Sequence, residues 1–259
     1  MQKVSATSEL LTNNAAIATD QVSYQTKFRT LLTNISIVIS QGSKTALIGA
    51  TGSGKTTFLR LLNRLTDPSV GTIFLHGQNI QEIPMQTLRR RVMLIPQEPS
   101  LLGMNVTEAL SYPLKLQNLP QHEIDTRSQK WIDKLQIDRK LLNRTEIELS
   151  LGQRQWMAIA RALVMEPEVL LLDEPTSALD RGLSHLLLDV LTELTRLPQP
   201  VTVVMINHQL DLLQPWCDRL ICLHKGELVQ DTEAGQVNWQ SIDDLLKRDV
   251  VSAANEEWD

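Results

Sequence analysis

The sequence has no excess of basic residues: 25 Lys and Arg stand against 30 Asp and Glu, for a formal net charge of -5. That balance leaves no footprint for sequence-independent binding to nucleic acid, which neutralises phosphates with Lys and Arg, so no nucleic-acid partner is expected. Cysteine is scarce. Cys217 and Cys222 are the two present and stand five apart. That is neither a zinc nor a redox spacing, and they read as reduced cytosolic thiols. No apolar run approaches the ~20 residues that span a bilayer. The N-terminal MQKVSATSELLTNNAAIATD lacks a continuous apolar core of signal-peptide length. A soluble, cytosolic chain is expected, and work at a membrane would need another polypeptide to supply the spans. Internal repeats and low-complexity tracts are absent as well.

The chain has 259 residues and is 42% hydrophobic, enough for one large domain or two small ones. Residues 1–20 are polar and read as a flexible tail. The stretch from Gln21 to Ser40 reads as β-structure on runs such as Ile35-Ser36-Ile37-Val38-Ile39. Thr45 to Ile48 is a short apolar strand. Phe58, Leu61, Leu62 and Leu65 then mark one face of a helix that Asp67-Pro68 is expected to end. GTIFLHG at 71–77 and Val92 to Ile95 read as strands. Residues from about 100 to 150 are amphipathic and helix-permissive, which predicts a small helical subdomain. A helix over 151–165, a strand at Val169 to Leu172, a helix near 181–196 and a strand at Val201 to Ile206 follow. The last two apolar runs have the look of fully buried parallel strands. The tail from about 236 is polar and acidic, with room for a short helix near Ile242 to Lys247.

Residues 49–56 read GATGSGKT and match the phosphate-binding P-loop spacing, G-x-x-x-x-G-K-[ST]. Gly49, Gly52 and Gly54 let the backbone of Ala50, Thr51 and Ser53 wrap a phosphate and turn N–H groups inward. The helix that follows points its positive end, through Thr57, at the same anion. Lys55 has the reach for β- and γ-phosphates, and the Thr56 hydroxyl suits Mg²⁺. Residues 169–180 read VLLLDEPTSALD. Asp173 and Glu174 leave a buried strand at its carboxyl end, where open parallel sheets bind ligands. Asp173 suits a hold on Mg²⁺, and Glu174 a general base for water. His208 follows a third such strand and suits a γ-phosphate contact.

ELSLGQRQW at 148–156 carries no obvious acid, base or metal ligand. Ser150 and Gln153 form a capping box for a helix that buries Trp156, Ile159, Ala160 and Leu163. Capping explains the segment locally. In order along the chain, however, come a P-loop, a Gln after a strand, LSLGQ, DEPTSALD and a His after a strand. That order resembles the ATP-binding cassette of ABC transporters, over roughly residues 20 to 230.

The resemblance implies an α/β P-loop NTPase with a mainly parallel sheet, an N-terminal antiparallel β-subdomain and a helical insertion. It makes 21–235 the cassette. It implies MgATP as ligand, a second cassette as partner, and a separate membrane-spanning permease at the cytoplasmic side of the membrane. Tyr24 stands where the family places an aromatic on adenine. Gln97 matches the Gln that senses Mg²⁺ and the attacking water. Ser150, Gly152 and Gln153 match the signature that meets ATP held by the other cassette. Asp180 matches the D-loop and His208 the switch histidine. Leu151 departs from the usual first Gly of LSGGQ. The stretch LLGMNVTEALSYPLKLQNLP is similar to Fet-type iron-export cassettes, and VMLIPQEPSLLGMNVTEAL to phosphate-import cassettes. A soluble cassette ATPase, such as that of iron–sulfur cluster assembly, is the alternative. A small-molecule P-loop kinase would leave LSLGQ unexplained.

Overall fold

The computed structural model of the chain describes residues 14–256. Residues 1–13 of the expected N-terminal tail, and the last three of the C-terminal tail, lie outside the described residues. Two sheets organise the rest. A four-stranded antiparallel sheet has the order β2-β1-β4-β5, from β1 (Ala15–Gln25), β2 (Thr30–Ser40), β4 (Val70–Leu75) and β5 (Gln78–Asn79). A six-stranded sheet has the order β10-β9-β3-β8-β7-β6. Its strands are β3 (Lys44–Ile48), β6 (Val92–Ile95), β7 (Val169–Asp173), β8 (Thr202–Ile206), β9 (Arg219–His224) and β10 (Glu227–Glu233). All its pairings are parallel except β9 with β10.

The parallel strands are buried on both faces because successive side chains enter different cores. On β7, Leu170 and Leu172 join the helical side, while Val169 and Leu171 join the core beneath the antiparallel sheet. On β8, Val203 and Met205 part from Val204 and Ile206 in the same way. Eight helices flank these sheets among the described residues. They are α1 (Lys55–Leu62), α2 (Met85–Arg91), α3 (Val106–Lys115), α4 (Gln121–Lys134), α5 (Leu151–Leu163), α6 (Arg181–Leu194), α7 (Leu210–Leu213) and α8 (Trp239–Glu256). The expected helical subdomain is built of α3 and α4 and leans on α5. Trp156 of α5 donates its indole N–H to the Leu135 carbonyl at 3.0 Å inside that joint.

Three boundaries differ from the sequence expectation. The tail was drawn through residue 20, yet β1 begins at Ala15 and residues 15–19 are all buried. This strand is central in its sheet, paired with both β2 and β4, and the side chains of AAIAT are buried on both faces of the sheet. The first helix closes at Leu62, before Asp67-Pro68. Arg64 takes the left-handed conformation, φ 53°. Leu65 N–H reaches back to the Arg60 carbonyl and Arg64 N–H to that of Leu61, the paired bonds of a Schellman end. The C-terminal helix, at Trp239–Glu256, is longer than expected, and Ile242 anchors it in the core. The hairpin β9–β10, unread from the sequence, turns on Lys225 and Gly226, both at positive φ, as a type I′ turn requires.

Candidate functional site

The carboxyl ends of β3, β7 and β8 lie side by side in one sheet. Register sets this: Leu47 pairs with Ile206, and Asp173 with Ile206. The loops leaving them bound a cleft of about 210 Å³, lined by Thr51, Gly52, Gly54, Lys55, Thr56, Thr57, Gln97, Glu174 and His208, with Arg29 and Leu31. A larger cleft of about 560 Å³, lined by Trp131, Glu166 and Val201 among others, sits at the opposite edge of the sheet and holds none of these groups.

Inside the Gly-rich loop, Lys55 Nζ donates to the carbonyls of Gly49 and Ala50, both at 2.8 Å. Burial pushes its pKa down from the ordinary lysine value, while Glu174, Asp173 and Cys222 pull it back up. Ser53 Oγ is buried and has no hydrogen-bond partner among the described residues. The β9–β10 turn braces the loop from behind, since Gly226 N–H donates to the Ser53 carbonyl at 3.1 Å. A Cβ at Gly226 would meet the Leu31 carbonyl, so the turn and β2 need glycine there to close on the loop.

Asp173 is buried, 4% exposed, and burial raises its pKa. A hydrogen bond from the Thr56 hydroxyl and the charges of Arg60 and Lys55 oppose that rise, and the Glu174 charge adds to it. Glu174 follows with φ 50°, a left-handed backbone that costs a non-glycine residue about 1–3 kcal/mol. That conformation turns its carboxylate into the cleft. Gln97 Nε2 donates to Glu174 Oε2 at 3.2 Å, and His208 Nε2 stands 2.8 Å from Oε1. Two side chains expected from different motifs thus converge on the carboxylate of a third.

Among the described residues no cluster of three or more His, Cys, Asp or Glu could hold a metal ion alone. The residues still fit Mg²⁺, which is held through one or two carboxylates together with substrate phosphates rather than by an all-protein cage. Thr56 and Asp173, already in contact, supply hydroxyl and carboxylate, and Gln97 lines the same cleft. The orphaned Ser53 hydroxyl and the inward Lys55 suit a phosphate.

Not every expected residue reaches the cleft. Tyr24 does not line it. It lies two residues from buried Val22 on the same strand face, and packs half-buried against the core under the antiparallel sheet. The turn after β1 presents Phe28 instead, 95% exposed and next to Arg29 in the cleft wall. Sequence reading missed Phe28 and Arg29, because only the strand register tells an inward aromatic from one in the turn.

Asp180 caps α6, accepting from Leu183 N–H at 2.9 Å. Ser150 and Gln153 form the expected reciprocal box at the start of α5. Gln153 N–H donates to Ser150 Oγ at 3.2 Å, and Ser150 N–H to Gln153 Oε1 at 3.0 Å. None of these lines the cleft of the same chain.

Leu151, the departure in the signature, is 52% exposed. Gly152 is the constrained position, where a Cβ would overlap the Ala178 carbonyl. Gly152→Ala is therefore expected to cost about 1–3 kcal/mol in denaturant unfolding, whereas Leu151→Ala should stay within roughly 0.5 kcal/mol. Equal effects would mean that position 152 does not set the packing of α5 on the loop after β7.

A family model described as ABC transporter matches residues 32–177. A methionine import ATP-binding protein of Listeria monocytogenes is 34% identical over 226 residues, 86% of this chain and 66% of that protein. The chain thus spans just under two thirds of that relative's length. ABC transporter I family member 17 of Arabidopsis thaliana is 38% identical over 200 residues, 77% of this chain and 75% of that one. Among solved structures, cbiO1 from Clostridium perfringens, part of the ABC transporter complex cbiONQ, superposes with a TM-score of 0.76. It is 28% identical, over 86% of this chain and 90% of that one.

Proposed function

The chain belongs to the ABC transporter family, and from that premise we propose that it is an ATP-binding, ATP-hydrolysing cassette that pairs with a second cassette around shared MgATP and drives a separate membrane-spanning partner. The observation that carries the reading is the convergence of Gln97 and His208 on Glu174 at the mouth of the Lys55 loop. In this reading the N–H groups of residues 50–54 cradle the phosphates, and Lys55 exchanges its two loop carbonyls for phosphate oxygens. Thr56, Asp173 and Gln97 would hold Mg²⁺, which would neutralise charge on the phosphates. Glu174 takes the proton of the attacking water, while Gln97 and His208 fix the carboxylate and, with it, the water's line of approach. Phe28 takes the adenine contact expected of Tyr24.

Ser150, Gly152 and Gln153 serve the nucleotide of the second cassette. Their place outside the cleft of their own chain supports this, since a helix N-terminus with a hydroxyl is suited to an anion presented from outside. Asp180, at the start of α6, belongs to the same meeting surface. The relatives above are transporter subunits, which does not favour the soluble iron–sulfur-assembly alternative. The methionine-import relatives support solute uptake as the direction of transport. No helix among the described residues is long and apolar enough to cross a membrane. In this proposal the spans come from a permease that the chain meets at the cytoplasmic face. Purification of the tagged chain from gently solubilised native membranes is expected to bring down a multi-span polypeptide in stoichiometric amount, identified by mass spectrometry. Recovery of soluble partners alone, under conditions that keep membrane complexes whole, would overturn the transporter role.

A further inference from the structure

Glu146 has no part in the motifs above, yet its side chain joins two of them. It opens a 3-10 turn (Glu146–Glu148) four residues before Ser150. Its carboxylate reaches across to the loop that follows Gln97 and β6. There Oε2 accepts from Gly103 N–H at 3.0 Å and from the Ser100 hydroxyl at 3.4 Å. These contacts, led by the Gly103 N–H and joined by the Leu101 N–H and the Arg154 charge, hold the carboxyl below the ordinary glutamate value against a smaller effect of burial.

The receiving loop is shaped for an anion. Leu102 and Gly103 are consecutive left-handed residues, at φ 60° and 73°. In this turn the Ser100 hydroxyl and the Gly103 N–H point into one concavity, a nest for an anion, while the Leu102 N–H donates back to Ser100 Oγ at 3.1 Å. Leu102, a non-glycine residue, bears the cost of that conformation. The strain is offset where a carboxylate fills the nest, and Glu146 fills it.

The two loops are also zipped beside this contact. Asn105 and Thr145 form an isolated bridge. Val106 N–H donates to the Arg144 carbonyl and Thr107 N–H to that of Leu142. One end of the assembly therefore begins at Gln97, which holds Glu174 in the cleft. The other ends at Ser150 and the first turn of α5. From α5, Arg154 and the half-buried Arg161 turn their charge toward the same carboxylate.

We propose that Glu146 is a positioning residue for hydrolysis: its carboxylate, seated in the nest of residues 100–103, makes the Gln97 loop and the Ser150 helix start move as one body. A change at the cleft of one cassette is thereby carried to the signature that serves the other. The proposal rests on the two-cassette reading above, and its test separates the two.

Glu146→Gln keeps the shape but removes the charge that the nest and the arginines answer. The expected result is a kcat for ATP lower by about 10- to 100-fold, the cost of small misplacements near reacting groups. KM and ATP affinity of the monomer should stay within about twofold, because the Lys55 loop is untouched. Glu146→Asp should recover part of the lost rate. Combining Glu146→Gln with Ser150→Ala should give no greater loss than the worse single change, since both act through one assembly.

An unchanged kcat in Glu146→Gln, multiplicative losses in the double variant, or a fall in kcat that tracks a lower thermal midpoint would each overturn the proposal. A wild-type chain that hydrolyses ATP without forming an ATP-dependent dimer would overturn the two-cassette reading, and the coupling role with it.

Discussion

Glu174→Gln is expected to lower ATP turnover by about 10²–10⁴-fold, the range for loss of a general base, while MgATP still binds. The replacement has nearly the same size and sits on the same left-handed backbone, φ 50°, so the cleft should keep its form. What changes is the chemistry at two oxygens. Oε1 stands 2.8 Å from His208 Nε2, and Oε2 accepts from Gln97 Nε2 at 3.2 Å. An amide can keep an acceptor toward only one of them. Turned toward His208, it brings its NH2 against the NH2 of Gln97, donor against donor, and it takes no proton from water. The ATP-bound state should therefore accumulate. Size-exclusion chromatography with MgATP should show a dimer for this variant that is short-lived in wild type, and single-turnover hydrolysis should show the missing rate. Normal turnover would remove Glu174 from the role of base.

Lys55→Ala should weaken ATP binding by about 1.5–3 kcal/mol, roughly 10- to 150-fold, the worth of a hydrogen bond to a charged group. Isothermal titration with a slowly hydrolysed ATP analogue would measure it. Unchanged affinity would undo the phosphate role of the loop.

Stability should move the other way. Burial lowers the Lys55 pKa below its ordinary 10.5. Between the lowered folded value and 10.5 the unfolded chain binds more protons than the folded one, so wild-type stability gains from this group as pH rises through that window. Below it the folded protein carries the cost of a buried charge. The variant carries no such charge. It should unfold no more readily than wild type at neutral pH, and it should lack this lysine's contribution to the pH dependence on the alkaline side. A clear destabilisation at neutral pH would mean that the bonds to Gly49 and Ala50 outweigh the burial.

The sequence by itself determined what depends on neighbours along the chain. Three glycines, a Lys and a Thr at fixed spacing define a loop that can wrap a phosphate, and an apolar run ending in Asp173-Glu174 defines where a buried strand meets solvent. The reciprocal box of Ser150 and Gln153 was legible for the same reason, since both partners lie within one turn of helix. The α/β character followed from apolar periodicity, and the order of five short motifs pointed to the family.

Only the tertiary structure decided what depends on distant segments. That Ala15 to Thr19 form a strand was hidden, because small residues covered on both sides carry no alternation. That Tyr24 packs against the core while Phe28 stands exposed in the turn beyond β1 depends on where β1 ends and on its pairing with β2 and β4. The brace from Gly226 to Ser53 joins residues 173 apart in the chain, and its Lys-Gly turn lacks the usual Asn-Gly mark. Glu146 is one acidic residue among many in the sequence. It becomes singular only because the nest that receives it is made by a loop 43 residues earlier. Local spacing specifies what one turn or strand can present, and long-range packing specifies what it is presented to.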